Sequence, residues 1–185
     1  MRVGWHTGRV ISMIALEAAH WRMWRALRLR ALEQAPEAFG STLEGTLARD
    51  EADGEDYWRG YFRRPGPTLV AELDGVPVGM ARLVHEDDAP FADIFSVWVA
   101  PEARGQGVGR TLVTGCLEWS DEHRPGIPVR LAVVEANPAA RRLYERCGFV
   151  VTGRNPEDDA ELLMERRTDL AGRRVHAPGS VDFRP

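Results

Sequence analysis

A mixed α/β fold, with helices on the faces of one sheet, is predicted by three observations. The chain has 185 residues, the length of one domain able to bury a real core. Two apolar runs joined by Asp-Gly, "TLVAELDGVPVGMARLV", signal a β-hairpin. Beyond the hairpin, apolar strands alternate with segments of helical period: "IFSVWVA", "GRTLVTGCLEWSDEH", "VRLAVVE" and "PAARRLYERCG". Hairpinned strands followed by such alternation make a mixed sheet covered by helices.

The elements follow in order. Residues 1–9 predict a flexible leader, and "VISMIAL" a first short strand. Between Glu17 and Ala35, residues Trp21, Trp24, Leu27, Arg28, Ala31 and Leu32 recur at helical spacing and stop before Pro36. A tryptophan stripe at that spacing reads first as core. The connection "FGSTLEGTLARDEADGEDYWRGYFRRPG" is acidic, then aromatic, and predicts a second short helix around Asp53–Phe62. The hairpin comes next, then the loop "HEDDAP" and a strand at Ala92–Val99 that ends at Pro101. A helix, a strand and a helix closed by Gly148 lead to two final strands, "FVVTG" and "AELLMER". From Arg167 onward no periodicity remains, which predicts a mobile tail over 167–185 and a single domain over 10–166. The expected order is β-α-α-β-β-β-α-β-α-β-β.

Composition narrows the functions. The hydrophobic fraction is 44% and the charged fraction 28%, as in a globular protein. A net charge of -4 gives no invitation to nucleic acid. All 24 basic residues are arginine, so no lysine Schiff base or lysine general base is available. Cys116 and Cys147 fit no CxxC or metal spacing, which predicts no metal and a reduced, cytoplasmic setting. "VISMIAL" is too short to span a membrane. No small-residue cleavage site follows it, so the expectation is an untargeted protein.

The stretch "RGQGVGR", Arg104 to Arg110, sets three glycines between two arginines directly after an apolar strand. A P-loop would need glycine at 104 and lysine at 110, and both are arginine. A dinucleotide GxGxxG would need glycine at 110 or 112, where Arg110 and Leu112 stand. A strand-to-helix turn remains. Glycines there let backbone N–H groups approach an anion, the helix N-terminus favours negative charge, and the arginines add formal charge. A pyrophosphate fits this; a ligand-free turn is the structural alternative.

Farther along stands "LAVVEANPAARRLYERCGF". Together the two segments resemble the GNAT superfamily, the acetyl-CoA-dependent N-acetyltransferases. The first matches the acyl-CoA signature Gln/Arg-x-x-Gly-x-Gly/Ala at Arg104, Gly107 and Gly109. The second matches Asn-x-x-Ala-x-x-Leu-Tyr-x-x-x-Gly-Phe at Asn137, Ala140, Leu143, Tyr144, Gly148 and Phe149. The resemblance extends from about Thr68 to Arg166 and is looser for the N-terminal helices. It implies a mostly antiparallel central sheet and a protein that uses acetyl-CoA as co-substrate without metal.

The resemblance also assigns roles. Arg104, Gly105, Gln106, Gly107, Val108, Gly109 and Arg110 would wrap the CoA diphosphate. The backbone of Val97, Trp98 and Val99 would run along the pantetheine arm, a bulge there opening a gap and freeing the Val99 N–H for an oxyanion. Asn137 and Ala140 belong to the same binding motif. Asn137 followed by Pro138 is also a sufficient helix N-cap by itself, and the two roles are compatible. Tyr144, two helical turns from Asn137 and on its face, would be the general acid toward the departing thiolate. A free phenol titrates at about 10 and a thiol at about 8.5, so that transfer runs mildly uphill; a buried aromatic beside Phe149 is the structural alternative. Arg141 and Arg142 either reach CoA phosphates or form a solvated helix face.

The acceptor amine must lose a proton. Peptide-terminal enzymes of the family carry a glutamate where this chain has Ala132, which argues against that specificity. Histone-type members place a glutamate at the position of Asp93. On an alternating strand Asp93 shares a side with Val97 and Val99, so it is the candidate base, with a surface aspartate as the alternative and His85, Glu86 and Glu135 in reserve. Trp21, Trp24, Tyr57 and Trp58 with Glu44, Glu51, Glu55 and Asp56 form either an aromatic and acidic pocket for a cationic amine or half core and half solvated surface. The expected reaction is direct acetyl transfer to a primary amine of a small molecule. Protein or peptide N-acetylation and a non-catalytic acyl-CoA sensor are the alternatives. Family members are often dimers, so a homodimer is compatible with the resemblance.

Overall fold

The computed structural model describes residues 9–167. The expectations for a leader and a tail concern segments that lie, but for Arg9 and Arg167, outside these residues. Strands are β1 (Ile11–Leu16), β2 (Thr68–Leu73), β3 (Val76–Val84), β4 (Ala92–Val99), β5 (Val129–Val134), β6 (Val150–Asn155) and β7 (Asp158–Arg166). Helices are α1 (Trp21–Gln34), α2 (Leu43–Asp53), α3 (Glu55–Gly60), α4 (Val108–His123) and α5 (Pro138–Arg146). One seven-stranded sheet runs β1-β2-β3-β4-β5-β7-β6. Its pairs are antiparallel except β4–β5, which are parallel.

The aromatic part of the acidic connection folds as expected, but a further helix, α2, precedes it. Thr42 caps α2 by accepting the Gly45 N–H at 3.1 Å, and Gly54 at φ 53 ends it. Only Thr46 of this helix is buried, so no apolar stripe announces it. A cap and a stop define α2 where periodicity is silent.

Two layers cover the sheet. On one face α1 lays Trp24, Leu27, Ala31 and Leu32 against the strands, each large side chain contributing about 1.5–3 kcal/mol of burial. On the other lies α4, whose Leu112 and Val108 side chains stand where a Cβ on Gly79 would come within 3.0 Å. Cross-strand partners share a face, so the register sorts β4. Trp98 pairs with Met80 and Phe95 with Arg82, on the α1 side; Val99 pairs with Gly79, on the α4 side.

The register also exposes a bulge. Between the Met80–Trp98 and Arg82–Phe95 pairs, β3 supplies one residue and β4 supplies two, Ser96 and Val97. Ser96 takes φ 57, an uncommon left-handed conformation for a residue other than glycine. The bulge bends β4 away from β5, and their pairing is confined to Ala92–Val129 and Asp93–Arg130. Past that point the sheet splays open.

Candidate active site

The splay defines the site. A cavity of about 810 Å³ opens between the diverging halves of β4 and β5, walled by the start of α4 and by α5. Val97, Trp98 and Val99 line it from β4. Ala100 N–H donates to Val78 O at 2.8 Å, which makes Val99, opposite Gly79, the non-hydrogen-bonded position beside it. The Val99 N–H and C=O therefore point away from β3 and into the gap that β5 has left. Arg104 Nε donates to that carbonyl at 3.0 Å, and the N–H stays available.

Arg104, Gly105, Gly107, Val108, Gly109 and Arg110 line the same cavity. Gly105 and Gly107 have φ 75 and 91, left-handed values that a side chain resists. Gly107 is the N-cap of α4, so the first N–H groups of the helix face the cavity free of a cap side chain. An added Cβ on Gly109 would meet Leu143 at 3.0 Å and Val99 at 3.5 Å. Arg104, Arg110 and Arg146 bring cations to the wall, and Glu37 is the one carboxylate among its lining residues. This cradle suits the phosphates of acetyl-CoA in space, donors and charge. Gln106 does not line it: its amide donates to Glu102 O at 2.9 Å and accepts from Arg9 Nη1 at 2.8 Å.

From α5 come Asn137, Ala140 and Tyr144. Asn137 Oδ1 accepts the Ala140 N–H at 3.0 Å; the cap uses the carbonyl and leaves the amide nitrogen for a ligand. Tyr144 is 6% exposed and meets Phe149 edge to face at 6.1 Å. Burial pushes its phenol well above the ordinary value, with Cys147 and Cys116 adding to the effect. Arg141 is bound to Glu145 at 2.8 Å on the outer side, and neither it nor Arg142 lines the cavity.

Asp93 is placed differently from the expectation. Strict alternation would set it on the side of Val99, but the bulge shifts the phase by one residue. Asp93 pairs with Val84 and so shares its face with Phe95 and Trp98, on the α1 side. It does not line the cavity and makes an ion pair with Arg130 at 3.1 Å. Burial raises its carboxyl above the ordinary value, opposed by Arg130. The reserves are committed elsewhere: His85 is buried, with Nε2 3.1 Å from Ala89 O, Glu86 pairs with Arg64, and Glu135 with Arg154.

The aromatic and acidic group divides as core and surface. Trp24 and Trp58 are wholly buried, while Glu44, Glu51, Glu55 and Asp56 face solvent. Trp58 stacks on Tyr61, Tyr57 meets both edge to face, and Trp58 Nε1 donates to Asp50 at 2.6 Å. Residues that sequence reasoning missed include Glu37, Ala38 and Ala35, which border the cavity just past α1. Only the turn at Pro36 marks them in the sequence.

A splayed seam with a freed strand N–H, a glycine cradle at a helix start and a buried tyrosine together line one cavity on a mixed sheet. Residues 28–149 match the model of the acetyltransferase (GNAT) family, and the chain belongs to that family. It is 37% identical over 131 residues to mycothiol acetyltransferase of Thermobispora bispora, across 68% of this chain and 41% of that protein. It is 33% identical over 81 residues to spermidine N(1)-acetyltransferase of Vibrio cholerae, across 44% and 47%. The chain thus spans less than half the length of these relatives. Its fold matches that of PaiA N-acetyltransferase from Thermoplasma acidophilum in complex with coenzyme A, with a TM-score of 0.65 at 17% identity, across 86% of this chain and 99% of that one. Among the described residues no helix is long and apolar enough to cross a membrane, and no His, Cys, Asp and Glu cluster suits a metal ion.

Proposed function

We propose that this chain is an acetyl-CoA-dependent N-acetyltransferase acting on the primary amine of a small molecule. The observation that carries the reading is the opened β4–β5 seam, where Val99 presents an unpaired N–H inside a cavity that Tyr144 also lines. Bound acetyl-CoA supplies an acetyl group activated as a thioester. The glycine cradle and Arg104 and Arg110 hold its diphosphate end, and Asn137 offers its amide nitrogen to the pantetheine arm.

The residues of the chain then divide the work. The Val99 N–H receives the oxygen that becomes negative as the amine adds to the carbonyl carbon; a fixed donor of this kind contributes on the order of 3 kcal/mol. The Tyr144 hydroxyl, raised by burial, keeps its proton throughout the working range and is always a donor. It hydrogen-bonds the sulfur as the carbon–sulfur bond breaks and passes its proton to the departing thiolate, regaining one from solvent after release. The raised phenol makes that transfer more uphill than from a free tyrosine, so the hydrogen bond carries most of the stabilisation. Asp93 lies outside the cavity in its ion pair with Arg130; as the base it would work only through a bridging water that reaches the cavity from the α1 face. Cys116 is fully buried with its thiol pushed up to about 12, which fits direct attack rather than a cysteine acyl intermediate.

A thiol-release screen with acetyl-CoA over polyamines, aminoglycosides, amino acids and peptide N-termini tests the reading. Turnover is expected with at least one small amine and not with peptides. Tight CoA binding with no thiol release from any acceptor would sink the enzymatic reading.

A further inference from the structure

The α1 face of the sheet carries an unbalanced set of donors. Arg28 on α1 and Arg82 on β3 are 6% and 5% exposed. Neither is ion-paired among the described residues. Arg28 Nη2 donates to Ser41 Oγ, while its Nε and Nη1, and Nε and Nη2 of Arg82, have no protein acceptor. The indole N–H groups of Trp21, Trp24 and Trp98 on the same face are likewise unpartnered. Every one of these atoms is a donor; the neutral Tyr61 hydroxyl, which Arg28 reaches, is an acceptor beside them, and among the described residues no anion meets them.

The nearby acids are already committed. Asp50 accepts from Arg25 and Trp58, Glu86 pairs with Arg64, and Asp93 with Arg130. Aromatic rings give partial relief: Arg28 lies 4.4 Å from the Phe39 centroid and Arg82 5.6 Å from that of Tyr61. A ring face attracts a cation but accepts little hydrogen bonding, and an unpaired buried charge costs more than the ring returns. Desolvation lowers both guanidiniums from their ordinary value, Arg82 to about 10. Two arginines in this state ask for an anion.

The position says which anion. Arg82 pairs across the sheet with Phe95, the residue before the bulge, and Phe95 is 46% exposed. Arg30, two residues beyond Arg28 on α1 and on a different side of that helix, stacks at 5.4 Å on Trp98, which lines the cavity. The cover over Arg28 is Phe39–Ser41, the direct continuation of cavity residues Glu37 and Ala38. Neither guanidinium lines the cavity; the cluster lies on the α1 face of the sheet, behind Trp98 and the Glu37–Ala38 turn that do line it.

We propose that the acceptor amine carries a carboxylate, and that Arg28 and Arg82 bind it when the Phe39–Ser41 turn moves aside. This rests on the N-acetyltransferase reading and names its substrate class: small amino acids rather than polyamines. A carboxylate offers two oxygens and several lone pairs, which match the free guanidinium donors and restore charge balance. The amine beside it is left free to reach the carbonyl at the bulge.

The test compares the common α-amino acids with their carboxamides and decarboxylated amines, reading both thiol release and the melting temperature of the CoA-loaded protein. Wild type should favour carboxylates by about 100-fold in kcat/KM, as a site built around a polar partner rejects analogues lacking it. Arg82→Met should cut that preference to about 5-fold or less, with KM for acetyl-CoA unchanged. Arg82→Lys, which keeps the charge, should retain part of it and serves if the methionine variant does not fold. Equal turnover of carboxamides by wild type overturns the inference and leaves the enzyme reading standing. Carboxylates that raise the melting temperature of wild type but not of Arg82→Met, without turnover, support the inference and sink the enzyme reading. Neither turnover nor a shift sinks both.

Discussion

The two faces of the sheet offer opposite kinds of donor. On the α4 side the groups offered are mostly backbone: the Val99 N–H, the N–H groups that open α4, and glycines that keep side chains out of the way. On the α1 side they are side chains, two buried guanidiniums and several indoles set among aromatic rings. Backbone donors fixed by secondary structure suit a ligand that never changes. Side chains can be exchanged while the backbone that presents them keeps its path. In the proposed reading the face made of backbone takes the common acetyl donor, and the face made of side chains sets the acceptor.

The largest effect should come from breaking chemistry without touching either binding mode. Tyr144→Phe should lower kcat by about 100- to 1,000-fold and leave CoA affinity within about twofold by calorimetry. An equal loss in CoA affinity would mean that Tyr144 builds the cavity and moves no proton.

Next is the proton acceptor proposed on the α1 face. Asp93→Asn should reduce kcat/KM by about 100-fold and remove its acid limb. Burial raises the Asp93 carboxyl above its ordinary value, so activity in the wild type falls as pH drops through a point higher than an exposed aspartate would give. An unchanged pH profile would return Asp93 to a structural role with Arg130.

A third variant separates scaffold from site. Asp50 ties Arg25 on α1 to Trp58 on α3. Asp50→Ala strands a buried indole N–H and should cost about 1–3 kcal/mol of stability, read by denaturant unfolding. The hydrogen bond from Arg25, assisted by that from Trp58, holds the Asp50 carboxyl below its ordinary value. Its contribution is thus complete above the unfolded pKa of about 3.9 and is lost as pH falls through the lower folded one. Asp50→Asn should flatten this acid loss while keeping an acceptor for Trp58.

The smallest effect tests the generic face. Arg104→Gln should raise KM for acetyl-CoA by about fivefold, since an exposed cation at a phosphate adds little beyond the backbone cradle, with the KM of the acceptor unmoved.

How legible each face was in the sequence follows the same division. Gly105, Gly107 and Gly109 stand at fixed spacing because a left-handed turn and a close approach permit almost nothing else, so they announce the cradle. Asn137 and Tyr144 share a helix face by arithmetic alone. The bulge was expected at β4 from the resemblance, but its phase was not, and Ser96 at φ 57 reversed the face assigned to Asp93. α2 had no apolar stripe to declare it. Arg28 lay inside an apolar period and read as helix core; that no carboxylate pairs with it among the described residues is a property of three elements packed together, α1, α3 and β3. Unmet donors have no sequence signature.

The division between the faces is tested most directly by steady-state kinetics with both substrates varied, on wild type, Gly109→Val and Arg82→Met. Gly109→Val should raise KM for acetyl-CoA, because its side chain enters space held by Leu143 and Val99, and should leave the acceptor KM unchanged. Arg82→Met should do the reverse. If Arg82→Met weakens acetyl-CoA as much as the acceptor, the two faces do not divide the ligands between them and the account fails.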